Sequence, residues 1–290
     1  MRIATWNVNS VTARLPRLLT WLDEAQPDVA CLQEIKCRAE AFPFDEIESR
    51  GYEVAAHGDG RWNGVAILSR LPMADVTLGF KGQPGFAAGV AGSAAAASAE
   101  EAGPLELDLA LDLDLPPAAP VEARAVGATC GPLRLWSVYV PNGRALDSPH
   151  YEYKLAWLAG ITKALADEVA GPGPFVVTGD FNIIPTDADV WDPSAFVGAT
   201  HVSEAERSAL AGLRALGLSD VAPRALKYDT PYTYWDYRAL MFPKNQGMRI
   251  DLVYANAPAA AAVRDAYVDR EARKGKGASD HAPVVVDLDL

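Results

Sequence analysis

Apolar positions along the chain fall into short runs broken by charged and turn-forming residues, and two spacings recur within them. Residues 3–8 form an apolar run of strand length. Residues 14–24 then carry Leu15, Leu18, Leu19 and Leu22 at intervals of three and four, one face of a helix that Pro27 stops. The segment 28–34, Asp-Val-Ala-Cys-Leu-Gln-Glu, reads as a buried strand ending on a carboxylate. Further strands are expected at 52–56, 64–68, 122–129, 133–140, 175–180, 249–254 and 282–288. A long helix is predicted over 149–171, with Asp147 or Ser148 as cap, Pro149 at its first position, and Leu155, Leu158, Ile161, Leu165 and Val169 on its inner face. Ser203 and Glu206 make a capping-box pair ahead of a third helix reaching Leu216. Strands alternating with helices place the chain in the α/β class.

Residues 82–121 break this pattern. They hold 12 Ala, 5 Gly and 5 Pro, with six acids and no Lys or Arg. The Ala-rich part reads as a linker that cannot bury a core. Residues 105–115 alternate Leu with acids or Ala, which suits either an edge strand with one apolar face or a solvated loop. The insert carries half of the formal net charge of −12, so that acidity need not face a substrate.

Half of the 290 residues are hydrophobic, ample for a globular enzyme core, and no run has the length of a membrane span. The start of the chain lacks the apolar stretch of a signal peptide, so a cytoplasmic protein is expected. Cys31, Cys37 and Cys130 have no metal-like spacing and suit a reducing compartment; Cys31, inside an apolar run, reads as core. The acidity argues against a protein that holds nucleic acid by bulk charge alone.

Polar residues gather where strands end. Asn7 and Asn9 follow the first strand, Glu34 ends the second, Asp180 and Asn182 lie at the end of 175–180, and Asp280 and His281 precede the last. Strand ends in α/β sheets converge on one crevice. The oxygen-rich set suits a hard cation such as Mg²⁺ better than zinc. Singly, each residue has a plainer reading: Glu34 a salt-bridged strand end, Asn7 an Asx turn, Asp180 a helix cap, His281 a hydrogen-bonded structural histidine.

Six ordered motifs change that balance: Trp6-Asn7-Val8-Asn9-Ser10, Leu32-Gln33-Glu34-Ile35-Lys36, Tyr139-Val140-Pro141-Asn142-Gly143, Gly179-Asp180-Phe181-Asn182-Ile183, Arg249-Ile250-Asp251 and Ser279-Asp280-His281-Ala282-Pro283. Together they resemble the exonuclease III and abasic-site endonuclease family, over the whole chain except the insert. The resemblance implies a four-layer α/β sandwich of two mixed β-sheets flanked by helices, as one catalytic domain over 1–290. It also implies a Mg²⁺-dependent hydrolase, with Mn²⁺ as substitute, that cuts double-stranded DNA at abasic sites and at 3′ ends. A monomer is expected. The alternatives are a same-fold phosphodiesterase on a non-DNA substrate and a catalytically silent DNA-binding protein.

The same resemblance assigns roles. Glu34 is the principal metal carboxylate, with Asn7, Asp180, Asn182, Asp280 and His281 in or near the metal shell. Asp180 orients or deprotonates the attacking water, Asn182 and Tyr139 hold the phosphate, and His281, fixed by Asp251, binds the scissile phosphate oxygen. Asn9, Asn142, Arg144, Lys154 and Arg238 are expected to contact substrate. Tyr234, Trp235, Met248 and Ile250 are expected to wall an apolar pocket for a baseless sugar, unless these side chains simply fill the core. Lys36, Arg61, Arg144, Lys154, Arg238, Lys244 and Arg249 form a candidate basic strip that would grip DNA on an acidic protein. The family often has Asn-Arg-Gly where this chain has Asn245-Gln246-Gly247, so one phosphate contact is expected to be missing.

Overall fold

The computed structural model describes residues 1–60, 62–86 and 119–290. The alternating stretch 105–115 and Arg61 lie outside the described residues. In chain order the described strands are β1 (Arg2–Asn7), β2 (Val29–Gln33), β3 (Glu53–His57), β4 (Val65–Ser69), β5 (Met73–Leu78), β6 (Ala125–Cys130), β7 (Leu133–Tyr139), β8 (Phe175–Asp180), β9 (Ser219–Asp220), β10 (Asp251–Ala255), β11 (Val263–Val268) and β12 (Val284–Leu288). The α-helices are α1 (Val11–Ala25), α2 (Phe44–Glu48), α3 (Pro149–Val169), α4 (Glu204–Ala215) and α5 (Ala257–Ala262).

The strands form two sheets of six, ordered β11-β12-β1-β2-β4-β3 and β5-β6-β7-β8-β10-β9. Each has a parallel pair at its centre, β1 with β2 and β7 with β8, and antiparallel neighbours on both sides. A helix joins the members of each pair, α1 in one sheet and α3 in the other.

Alternation along each strand divides the core into three apolar interfaces. Ile3, Cys31 and Ile67 meet Val126, Leu135, Val176 and Val253 between the sheets. On the outer face of the first sheet, Trp6, Leu32 and Leu68 pack on Leu18, Trp21 and Leu22 of α1. On the outer face of the second, Val138, Phe175 and Val177 meet Trp157, Leu158 and Leu165 of α3 and Leu210 and Leu213 of α4. The result is the expected four layers, helix, sheet, sheet, helix.

Helix α1 starts three residues before the predicted 14, because Ser10 caps it by accepting from Ala13 N, and Pro16 lies inside it. Ser148 caps α3, and Ser203 and Glu206 close a capping box on α4. Strands β5, β9 and β11 escape the periodicity. β5 is an exposed edge with a register shift between Ala74 and Thr77, and β11 carries Arg264 and Asp265 past another shift. At the inner faces Gln33 Nε2 donates to Thr5 Oγ1 and Ser137 Oγ, each at 3.0 Å, tying the ends of β1, β2 and β7 together just beneath the site.

Candidate active site

The two parallel pairs run the same way, so the ends of β1, β2, β7 and β8 open at one edge of the sandwich. There the antiparallel neighbours β10 and β12 begin. Register places Asp251 opposite Asp180, and Asp180 opposite Tyr139. Glu34 follows β2 with φ of 52°, a left-handed turn that lifts its carboxylate out of the sheet.

At this edge Asn7 Nδ2 donates to Glu34 Oε1 at 2.7 Å and to Asp180 Oδ2 at 2.9 Å, so one buried amide bridges both carboxylates. Asp180 Oδ1 accepts from Asn182 N at 2.9 Å. His281 Nδ1 lies 2.8 Å from Asp251 Oδ2, and its Nε2 faces Asp180 Oδ2 at 3.9 Å. The Tyr234 ring meets the imidazole in a T-shaped contact, at a centroid distance of 4.9 Å and an interplanar angle of 63°. Asp280 Oδ1 accepts from Asn9 Nδ2 at 3.0 Å, and Lys36 Nζ reaches both Asn9 Oδ1 and Glu34 Oε2 at 2.6 Å.

Burial and mutual charge set the ionisation of this group. Burial, reinforced by Asp251 and Glu34 and opposed by His281, pushes the Asp180 carboxyl up to about 7. Burial would lower His281, but Asp251, Asp180 and Asp280 together outweigh it and raise the imidazole to about 10. For Glu34 the burial penalty is likewise overcome, by Lys36, Asn7 and His281, and its carboxyl titrates below the usual range. Burial first, then the Glu34 charge, holds the Tyr139 phenol well above its ordinary value, so it remains a hydrogen-bond donor.

Among the described residues Glu34, Asp180 and His281 bring potential ligand atoms within 4.8 Å of one another. Two carboxylates this close, with an ammonium already drawn onto Glu34, fit a divalent cation. Asn7, Asn182 and Asp280 stand around this cluster, Asn7 donating to two of its members and Asp280 accepting from Asn9. The Asn7 amide oxygen accepts from Asn9 N, and Asn182 donates through Nδ2 to Val140 O and accepts through Oδ1 from Asn142.

Several sequence expectations need correction. Lys154 is fully buried, and its ammonium is consumed by Glu206 Oε1, Asn182 O and Asn142 O, so it cannot touch substrate. Trp235 and Ile250 lie inside apolar clusters, 1% and 3% exposed, too buried to hold a sugar beside His281; Trp235 instead backs a cavity with Tyr228, Pro231 and Tyr232, while Tyr234 and Met248 remain half-buried on the His281 side. Arg249 leaves the basic strip, because Asp189 and Asp220 take its guanidinium in buried ion pairs. Arg144, Arg238 and Lys244 are exposed, although Arg238 is paired with Asp236. Sequence reasoning missed the parts behind the site: Gln33 stood in a motif without a role, Ser137 gave no signal beyond being polar in an apolar strand, Glu206 was legible only as a cap, and His201 carried no motif.

A two-sheet α/β sandwich with carboxylates, an amide pair and an aspartate-held histidine at one edge defines a hydrolytic enzyme of the phosphoester-cleaving kind. The chain belongs to the Endonuclease/Exonuclease/phosphatase family, whose model matches residues 4–281. Exodeoxyribonuclease III of Haemophilus influenzae is 26% identical over 98% of each chain. Among solved structures, the 3′ phosphatase NExo from Neisseria, bound to a product DNA hairpin, is 35% identical with a TM-score of 0.84 over 100% of both chains. An AP endonuclease from Archaeoglobus fulgidus is 30% identical with a TM-score of 0.83, again over 100% of both. The family is metal-dependent, and the acidic residues here suit that chemistry. No helix among the described residues is long and apolar enough to cross a membrane.

Proposed function

We propose that the chain is a DNA-repair nuclease that hydrolyses the phosphodiester on the 5′ side of an abasic site, with 3′ to 5′ exonuclease and 3′ end-repair activity at the same centre. Residues from both ends of the chain, Asn7 and His281, build that centre, so 1–290 acts as one catalytic unit. The observation that carries the reading is the placement of Asp180 between the Asn7 amide and the His281 imidazole, beside Glu34. Its similarity to DNA-processing relatives over full chain length supplies the substrate class.

Asp180 is held through both oxygens, and at about 7 it exchanges a proton readily near neutrality, as a general base for water requires. His281, cationic at that pH, offers Nε2–H to a phosphate oxygen while Asp251 fixes its orientation. That raised pKa favours a phosphate contact for His281 over metal ligation, which requires a neutral ring. Asn182 has its amide fixed by Val140 and Asn142, with one N–H still free for the phosphate, and the Tyr139 phenol donates from the opposite strand. Glu34 would hold Mg²⁺, or Mn²⁺ in its place, beside Asp180, and the ion would supply Lewis-acid charge neutralisation at the phosphate. Tyr234 and Met248 would pack on the baseless sugar. Double-stranded DNA would be met by exposed Arg144, Arg238 and Lys244 and by Asn9 and Asn142. A cytoplasmic monomer is the form proposed.

The net charge of −12 favours one rival, a phosphodiesterase of this fold acting on a substrate other than DNA. Titration of wild type and Glu34→Gln with Mn²⁺, alongside incision of an abasic duplex, tests the proposal. We expect Glu34→Gln to weaken Mn²⁺ binding and to abolish incision together. Full incision by a variant that no longer binds the ion would refute the metal assignment.

A further inference from the structure

Behind the catalytic edge lies a second polar cluster that touches no solvent. Lys154 on α3 and Glu206 on α4 are both 0% exposed, with Nζ 2.5 Å from Oε1. The two remaining N–H groups of the ammonium go to backbone carbonyls, Asn182 O at 2.7 Å and Asn142 O at 3.3 Å. Thr200 Oγ1 donates its one proton to Glu206 Oε1 at 2.7 Å and lies 3.2 Å from Asn142 O, and His201 Nδ1 lies 2.5 Å from Asn182 O. Both asparagines stand in loops that follow catalytic strands, and Asn182 sits at φ 51°, in the left-handed region that asparagine tolerates. Their side chains are joined, Asn142 Nδ2 to Asn182 Oδ1, and Asn182 N is bonded to Asp180 Oδ1. Gly143, at φ 89°, packs so closely that a Cβ there would lie 2.7 Å from Thr200 Oγ1 and 3.1 Å from Lys154 Cδ.

A buried ion pair is weak as a source of stability, since apolar or neutral replacements of similar volume are often neutral or stabilising. What this pair does uniquely is clamp two loops by one point, with every donor of the cation used. Resting on the phosphodiesterase reading of the site above, we propose that Lys154, held by Glu206, is a positioning residue that sets the aim of the Asn142 and Asn182 side-chain amides, and through Asn182 N that of Asp180, at the scissile phosphate. Lys154 acts only through these neighbours and never reaches the substrate.

The test is the paired variant Lys154→Met with Glu206→Gln, which removes both charges and keeps the shape and one of the two acceptor oxygens of position 206. Asn182 O retains His201, and the Thr200 hydroxyl, 3.2 Å from Asn142 O, can turn its one proton there; of the two backbone N–H groups that Glu206 accepts, from Ser203 and His201, the Gln oxygen keeps one. Turnover is measured on an abasic duplex and on bis(4-nitrophenyl) phosphate, and the side-chain amide resonances of Asn142 and Asn182 are followed by NMR. The proposal predicts a folded variant whose melting temperature falls by no more than a few degrees, as about one lost hydrogen bond requires, kcat lower by about 10- to 100-fold on each substrate that wild type cleaves, KM within about twofold, and displaced or broadened amide resonances. A folded variant with wild-type kcat, or with unmoved resonances, overturns it. If the pair does not fold, Thr200→Val, which deletes only the hydroxyl, is held to the same amide and kcat criteria, with a smaller loss of about threefold. Wild-type failure on the duplex alone sinks the nuclease reading, while the simple diester and the resonances still decide the role of Lys154.

Discussion

At the scale of single residues the site is governed by which buried charges have partners. Asp251 is wholly buried, holds His281 with one oxygen, and leaves Oδ1 without a partner. Asp251→Asn keeps the volume and a hydrogen-bond acceptor but removes the charge that keeps the imidazole cationic. Activity should fall about 10- to 100-fold while the melting temperature barely moves; equal losses of folding and activity in thermal melts and rate assays would count against that role. His201 supplies a pH prediction away from the reacting atoms. Burial first, then the Lys154 charge, lowers its imidazole to about 4, below the unfolded value near 6.5. A depressed pKa contributes stability that is complete above about 6.5 and is lost as pH falls towards 4. Asp180, raised to about 7, works with the opposite sign in an overlapping window, so the wild-type curve alone is not diagnostic. The metal-free His201→Gln variant should lose less stability than wild type between pH 6.5 and 4, and parallel curves would contradict the assignment. The sequence made Asn7, Glu34, Asp180, Asp251 and His281 legible because each ends or precedes a strand within a motif. It could not show that Lys154 and Arg249 face inward, because their partners Glu206, Asp189 and Asp220 lie far away in sequence and only the fold brings them near.

At the scale of elements, legibility follows burial. The central strands β1, β2, β7 and β8 are covered on both faces and therefore appear as apolar runs, whereas β5 and β11 are edges whose exposed residues dilute the pattern. Trp235 misled for a related reason: an aromatic in a substrate-side loop and an aromatic filling the core look the same in one dimension, and here Phe242 and the inter-sheet cluster claim it. The starts of α3 and α4 are legible from Ser148 with Pro149 and from the Ser203–Glu206 pair, whereas α1 starts at a lone Ser10 cap inside a motif, with no acid in its first turn to mark it. That helix terminates on Gln26 in the left-handed conformation, φ 46° and ψ 52°, where glycine is unstrained. Gln26→Gly should stabilise the protein by about 0.5–1 kcal/mol in denaturant unfolding, and a loss of stability would show that the Gln26 side chain contributes more than its backbone costs.

At the scale of the whole molecule, an acidic chain must meet a polyanion. Phe86 N donates to Pro120 O at 2.9 Å, so the segment between them leaves and rejoins the sandwich at one narrow neck, and its removal leaves the described core intact. Deleting 87–118 should preserve the melting temperature and, by removing six acids, raise affinity for duplex DNA at low salt. Unchanged affinity and salt dependence would mean that those acids never compete with the phosphates. The central claim, that this edge of the sandwich cuts DNA at abasic sites with Asp180 serving the attacking water, is tested most directly on a labelled duplex carrying one abasic site, with Mg²⁺ or with chelator, for wild type and Asp180→Asn. Incision on the 5′ side of the lesion should require the metal and fall by at least about 1000-fold in the variant. Incision that survives chelation or the loss of the Asp180 carboxylate, or no incision by wild type with metal present, would contradict it.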